Sequence, residues 1–186
     1  MSDREQMIIG LYSPAQQSGK STVANELIRH GFVRKGFADA LKGMVRALLA
    51  AFGFAPEEVE HFVLDGKGKE TPIPVLDGKT SRYLQQTIGT EWGRELIARD
   101  LWVKAVLNDR RPDMLVIDDL RFPNEYDAIR EEGGQVWRIY RPGQEPTSGH
   151  PSEGLLEGRE FDEEIVNDGS LSELEAKVRN ALTGPF

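Results

Sequence analysis

A three-layer α/β fold built on a mainly parallel sheet is what this sequence predicts, and three observations predict it. Short apolar runs alternate with amphipathic stretches along almost the whole chain. One run, Met7-Ile8-Ile9-Gly10-Leu11, feeds a Gly19-Lys20-Ser21-Thr22 turn that opens a helix. Another, Met114-Leu115-Val116-Ile117, closes on two acids, Asp118 and Asp119.

At 186 residues the chain suits one domain with a sizeable core. Apolar residues are 39% and charged ones 29%, so neither disorder nor a membrane protein is indicated. No apolar run approaches the ~20 residues of a membrane span. The stretch Met1 to Gln6 carries acids and lacks the apolar core of a signal peptide. Without cysteine there is no disulfide framework, no thiol nucleophile and no cysteine-ligated zinc, and a cytoplasmic protein is the simplest reading. A net charge of −8 argues against a large duplex-DNA footprint. It is neutral towards a small anion, which a few converging arginines can hold.

After the first strand comes Tyr12-Ser13-Pro14-Ala15-Gln16-Gln17-Ser18-Gly19-Lys20-Ser21-Thr22, then a helical stripe of Val23, Ala24, Leu27 and Ile28. In that strand–loop–helix setting, Ser-Gly-Lys-Ser-Thr reads as a phosphate-binding P-loop. The amides from Gln17 to Thr22 and the positive end of the helix dipole would form the anion site. Lys20 would reach the β- and γ-phosphates, and the Ser21 hydroxyl would face Mg²⁺. The full pattern has glycine where Pro14 stands. Proline holds φ at about −65° and removes a donor at the start of the loop, leaving the amides nearest the phosphates in place. The plainer alternative is an ordinary helix start with a serine cap.

The first helix stops near His30-Gly31, and Phe32 to Phe37 suggests a second strand. Asp39 then opens an amphipathic helix whose Leu41, Met44, Val45, Leu48, Leu49 and Phe52 read as core. Asp39 is either its cap or a residue facing a ligand at the sheet edge. Pro56-Glu57-Glu58 begins a short helix. Residues 65–79, rich in glycine, proline and lysine, read as a mobile loop. From Thr80, Leu84, Ile88 and Trp92 form the expected buried stripe, with Arg82, Gln86 and Gly89 together on the other side as a pocket floor or a wet face. Gly89-Thr90 should bend this helix, and the helical pattern resumes through Leu96, Ile97, Leu101, Val103 and Val106.

A hydrophobic strand that delivers an aspartate, as 114–119 does, is the second half of a P-loop nucleotide site, where the carboxylate steadies Mg²⁺. Strand neighbours point to opposite sides, so one of Asp118 and Asp119 faces the metal. Arg121 follows, and Pro123-Asn124-Glu125 opens a helix ended by Gly133-Gly134. Gln135 to Tyr140 is a strand that Arg141 leaves. Residues 142–162, with His150, Ser152, Glu153 and Arg159, have no clear period and read as a lid or mobile loop. Ile165-Val166-Asn167 is a last short strand, and Ser170 with Glu173 makes a capping box for a closing helix through Leu174, Val178 and Leu182.

These segments together resemble the bacteriophage deoxynucleoside monophosphate kinases, which are P-loop nucleotide kinases. The matching pieces are Ser18 to Thr22, Phe37 to Lys42, Leu84-Gln85-Gln86 with Gly89-Thr90-Glu91 and Gly93-Arg94, Asp119 to Glu125, Arg138 with Arg141, His150 to Glu153, and Asn167-Asp168-Gly169. The Arg-Phe-Pro-Asn-Glu and Gly-Thr-Glu segments are the distinctive ones. The resemblance implies a P-loop NTPase fold of adenylate-kinase-like architecture, a single domain over 1–186, with an acceptor-binding helical region at about 38–110 and a lid at about 142–162. It implies transfer of the γ-phosphoryl group of ATP to a deoxynucleoside 5′-monophosphate, with Mg²⁺. Gln17, Ser18, Gly19, Lys20, Ser21, Thr22, Arg141 and Asn167 would hold the donor. Ser21 with Asp118 or Asp119 would hold the metal, the family pattern aligning Asp119 before the arginine. Arg82, Arg94 and Arg121 are candidates for the acceptor phosphate or the transition state, Asp39 for orienting the acceptor, and Arg141 or Arg159 for arriving with the lid. Substrates are then small molecules, with no membrane or nucleic-acid partner, and a homodimer stays open. Two other readings keep the loop: a kinase for a hydroxyl acceptor, with Asp39 as general base, and a non-catalytic nucleotide-binding module.

Overall fold

The apolar runs become β1 (Met7–Tyr12), β2 (Val33–Lys35), β3 (Met114–Ile117), β4 (Gln135–Tyr140) and β5 (Glu163–Val166). All pair parallel, in the order β2-β3-β1-β4-β5. The helices are α1 (Lys20–Arg29), α2 (Asp39–Ala51), α3 (Pro56–Leu64), α4 (Gly66–Lys69), α5 (Ser81–Thr87), α6 (Leu101–Val106), α7 (Pro123–Glu131) and α8 (Leu171–Thr183). A 3₁₀ turn spans Pro74–Leu76, and a π-helical stretch, Ile88–Ile97, continues α5. This computed structural model describes residues 7–15, 17–108, 111–144 and 154–183. The chain divides into two units, Met1–Gly36 with Val106–Phe186, and Phe37–Ala105. Among the described residues no helix is long and apolar enough to cross a membrane.

The first unit holds the sheet. Alternate strand residues Ile9, Leu11, Val116, Trp137, Ile139 and Ile165 pack against Val23, Ala24 and Leu27 of α1 and Leu174 and Val178 of α8. Gly10 points the other way, where the side chains of Leu120 and Ile129 lie over it. Helices on both faces account for the unbroken apolar runs of β1 and β3, since a strand covered on two sides has no wet face to mark. Each fully buried Leu, Ile or Val contributes about 1.5–3 kcal/mol, so this cluster outweighs any polar contact around it.

One polar contact nonetheless fixes how α1 lies against α8. Glu26 is 3% exposed, and its carboxylate accepts from Arg29 Nη1 at 2.7 Å and from Arg179 Nη1 at 2.8 Å. Arg29 also reaches Glu175 of α8 at 2.7 Å. The hydrogen bond from Arg179, then that from Arg29, holds the Glu26 carboxyl below its usual value against the opposing pull of burial.

The second unit is helical, with a core of Val45 and Leu49 from α2, Val59 and Val63 from α3, and Ile73. Three expectations need correction. On α2 only Leu41, Val45 and Leu49 are buried, while Met44, Leu48 and Phe52 are exposed. The apolar arc of α2 is broader than the side that its neighbours α3 and α5 cover. Residues 65–79 are a built turn rather than a mobile loop. Asp65 Oδ1 accepts from the amides of Lys67 and Gly68, both at 2.8 Å, and caps α4. Ile73 is fully buried and donates its amide to the Lys79 carbonyl at 3.0 Å. Glycine and proline hide that anchor because they mark turns whether or not the turn is packed.

The third correction is the helix from Thr80. The bend expected at Gly89-Thr90 is the change from α5 into the π-helical stretch, whose extra residue per turn rotates the buried face. Gly89 and Gly93 are therefore buried, and Trp92 is exposed. Trp102 is buried and donates its Nε1–H to the Gly89 carbonyl at 2.9 Å. β5 ends at Val166, leaving Asn167 one residue beyond the strand.

Glu26 predicts an acid-sensitive α1–α8 contact. Its native pKa lies below the unfolded value of about 4.3, so the stabilisation is whole above that value and is lost as pH falls through the depressed native one. Urea titrations of the wild type from pH 7 to pH 3 should show this loss. Glu26→Gln should be destabilised by about 1–2 kcal/mol at pH 7, because its guanidinium partners are largely solvated. The gap between the two proteins should narrow towards pH 3.

Candidate active site

Parallel pairing of β1 with both β3 and β4 sends four chain segments off the same edge of the sheet. After β1 comes the loop to Gly19, after β3 Asp118 and Asp119, after β4 Arg141, and after β5 Asn167. In an open α/β sheet, this carboxyl edge, where the crossovers part to either side, is where ligands bind.

The loop is shaped by local chemistry. The Ser13 hydroxyl donates to the Ala15 carbonyl at 2.9 Å and accepts from the Ala15 amide at 3.3 Å. Pro14 is buried between them, so the missing glycine is replaced by a rigid turn. Gln17 has φ 58° and Gly19 φ 106°. The residue that precedes α1 is Gly19, which has no side chain to cap the helix, and no acid stands in the first turn, so the positive end of the helix faces the loop.

A cavity of about 320 Å³ opens there, lined by Gln17, Ser18, Gly19, Lys20, Ser21, Thr22, Arg141 and Asn167. These are the eight residues named from the sequence for the nucleotide, and the structure brings them together. Asn167 Nδ2 donates to the Ser18 carbonyl at 2.9 Å. Gln144 Nε2 reaches the Gln17 carbonyl at 3.5 Å. The Ser18 hydroxyl oxygen is buried and has no hydrogen-bond partner among the described residues. A buried hydroxyl of this kind beside a helix N-terminus is an arrangement that an anionic oxygen would satisfy.

The two acids after β3 are used differently. Asp118 is ion-paired with Arg34 of β2. The Asp119 carboxylate lies against Gly36, where a Cβ would stand 2.6 Å from its Oδ2. Glu125 sets the course of the loop between Asp119 and α7. It is buried, and its Oε2 accepts from the amides of Arg121 at 3.0 Å and Phe122 at 3.1 Å. With Pro123 in the first helical position, Arg-Phe-Pro-Asn-Glu is thus a helix start whose third residue reaches back to its own cap. Arg121 is exposed. Among the described residues no group of three or more His, Cys, Asp or Glu could hold a metal ion.

Three candidates belong to the helical unit. Asp39 is the first residue of α2, with its Oδ1 at 3.9 Å from Lys42 Nζ. Arg82 is ion-paired with Glu70, and Arg94 Nη1 donates to the Gly89 carbonyl at 2.9 Å. Arg159 is committed elsewhere: it pairs with Asp127 of α7 at 2.8 Å and lies over the Tyr126 ring at 5.1 Å. His150, Ser152 and Glu153 lie outside the described residues, as does Gln16.

An aromatic contact at the root of the loop escapes sequence reasoning. Tyr12, the last residue of β1, stacks on Phe161 at 5.5 Å and donates its hydroxyl to Glu157 at 3.1 Å. Arg138 of β4 holds the other oxygen of Glu157 at 3.1 Å, and Leu156 is fully buried. Residues 154–162 are therefore pinned where the phosphate loop begins. The advance signals were the apolar residues Leu155, Leu156 and Phe161 within a polar stretch.

The sequence model of the family described as deoxynucleotide monophosphate kinase matches residues 67–178. A putative deoxynucleotide monophosphate kinase of Acanthamoeba polyphaga mimivirus is 32% identical over 188 residues, covering 92% of this chain and 94% of that protein. This chain belongs to the deoxynucleotide monophosphate kinase family. The deoxynucleotide monophosphate kinase of Enterobacteria phage T4 is 34% identical over 139 residues, 65% of this chain and 58% of that protein. The deoxynucleoside-5′-monophosphate kinase of Escherichia phage T5 is 33% identical over 112 residues, 53% of this chain and 44% of that one. The chain thus spans about half the length of these two phage relatives. Among solved structures, TT1252 of Thermus thermophilus superposes with a TM-score of 0.50 at 18% identity, over 96% of this chain and 97% of that one, a likeness of fold alone. The family read from the motifs is the family that the comparisons give.

Glu125 in this family member invites a direct measurement. Glu125→Ala removes the shared acceptor of two amides, a loss of about 2 kcal/mol that lowers Tm by roughly 4–8 °C in calorimetry. Glu125→Gln, which keeps an acceptor oxygen, should recover more than half of that loss.

Proposed function

We propose that this kinase transfers the γ-phosphoryl group of ATP to the phosphate of a deoxynucleoside 5′-monophosphate, releasing ADP and a deoxynucleoside diphosphate. The observation that carries the proposal is the cavity of about 320 Å³ at the start of α1, in a chain of this family. Donor and acceptor are both anions, and a phosphate monoester is already largely ionised at pH 7. The site must therefore supply positive charge along the transfer path more than a proton acceptor. Lys20 and the amides from Gln17 to Thr22 take the β- and γ-phosphates, with Arg141 beside them.

The Ser21 hydroxyl and one carboxylate suit Mg²⁺, a hard cation that keeps water and phosphate oxygens for the rest of its shell. Asp119 is our choice of carboxylate, because it is the acid that the family pattern places before the arginine. When bound, the ion neutralises charge on the phosphates. Arg82, Arg94 and Arg121 are assigned to the acceptor phosphate or to the transition state, and Asp39 to orienting the acceptor. For Arg82 this means exchanging the Glu70 carboxylate for a phosphate, like charge for like. The helical unit Phe37–Ala105 is the acceptor-binding region in this reading, and the substrates put the work of the enzyme in the cytoplasm.

Radiolabelled ATP offered with each of the four deoxynucleoside monophosphates should yield a labelled diphosphate from at least one. Product formed only from water, a hydroxyl compound or polymeric DNA would overturn the assignment. Lys20→Ala should lower turnover by about a thousandfold or more with an unchanged circular dichroism spectrum. Gly36→Ala tests Asp119. Gly36 is not in the left-handed backbone region, and the three atoms nearest to a new Cβ all belong to the Asp119 carboxylate. Tm should stay within about 2 °C, while turnover falls about tenfold and the Mg²⁺ requirement rises.

A further inference from the structure

Asn167 lines the donor cavity, and it hydrogen-bonds to the protein at both its backbone and its side chain. Its backbone N–H donates to the Tyr140 carbonyl at 2.7 Å, carrying the β4–β5 ladder one residue past the strand. Its side chain therefore starts from a fixed point. From there Nδ2 donates to the carbonyl oxygen of Ser18 at 2.9 Å and lies so close to Gly19 that a Cβ there would stand 2.7 Å away.

That carbonyl shares a peptide group with the Gly19 amide. A trans peptide is planar, and its C=O and N–H point in opposite directions. Holding the Ser18 oxygen consequently aims the Gly19 hydrogen away from Asn167. The constraint matters at this position because the peptide is followed by a glycine at φ 106°, ψ 5°. Without a Cβ, glycine visits several backbone basins at similar cost, and the Ser18–Gly19 plane could otherwise turn over. A turned plane would present a carbonyl oxygen to the phosphates instead of an N–H, replacing attraction by repulsion.

We infer that Asn167 is a positioning residue: it bolts the Ser18–Gly19 peptide so that the Gly19 N–H is offered to the donor's phosphates, and it does not itself read the nucleotide. The inference rests on the donor site proposed above and changes the role of Asn167 within it. An ordinary base-contacting asparagine would act on the nucleoside half of ATP. A peptide bolt acts on the phosphate half alone.

The test uses the whole chain and three probes: ATP, inorganic tripolyphosphate and adenosine, each titrated by calorimetry or by ¹⁵N NMR. The wild type should bind ATP and tripolyphosphate, with the Gly19 amide resonance shifting on both. Asn167→Ala should weaken both by the same factor, about tenfold or more, with adenosine binding unchanged and the Gly19 shift lost. Asn167→Asp keeps the size but cannot donate at pH 7, and it should lose at least as much. Retention of wild-type tripolyphosphate affinity in either variant overturns the inference. So does an equal loss for adenosine, which would mark a direct contact with the nucleoside. A wild type that binds neither ATP nor tripolyphosphate overturns the donor site itself, an outcome distinct from both.

Discussion

The site depends on one constraint: β1 lies between β3 and β4, parallel to both. With β5 parallel beyond β4, the polypeptide leaves four strands at one edge, with α1 and α8 on one face and α7 on the other. An anion-binding turn, a pair of acids, an arginine and an asparagine, far apart in sequence, leave one edge without any of them being a good former of local structure. The cost of holding four polar segments there is met by the apolar cluster behind them. Its residues are buried to a degree that the polar edge could not supply.

Within that frame the phosphate loop is held from several directions at once. Ser13 and Pro14 stiffen its start, Asn167 ties its middle, and Tyr12 anchors its root through Phe161 and Glu157. The absence of the first glycine of the usual pattern is then less costly than it looks on paper. A glycine there would bring freedom, whereas this chain takes a proline turn and secures the rest by contacts from β4 and β5. The left-handed backbone at Gln17 and Gly19 persists because those neighbours over-determine it.

The arginines show where sequence reading stops. Arg82, Arg94, Arg141 and Arg159 look alike in a string of letters, and spacing could assign none of them. In the fold, Arg159 is stacked over Tyr126 and paired with Asp127, Arg82 is paired with Glu70, and Arg141 faces the cavity. What separates them is the surroundings each one meets, and the carboxylates of Arg82 and Arg159 lie twelve and thirty-two residues away. Asp118 likewise takes its partner from far along the chain, Arg34 of β2. Trp92, expected in the buried stripe, is exposed where a π-helical turn rotates the helix, and that turn carries no sequence signature of its own.

By itself, the sequence determined the α/β class, the run of strands and helices, the phosphate loop at the head of α1, the acid-bearing end of β3, and the family. Each of these is written in contiguous residues, through hydrophobic period, capping chemistry and short motifs that act over a few ångströms along the chain. Only the tertiary structure decided the strand order, the buried face of α2, the packed turn at Ile73, the partner of each charge and the hold of Asn167 on Ser18. Those depend on which surfaces meet across the sheet and between helices. That choice is made by the summed burial of many side chains, and no local pattern records it.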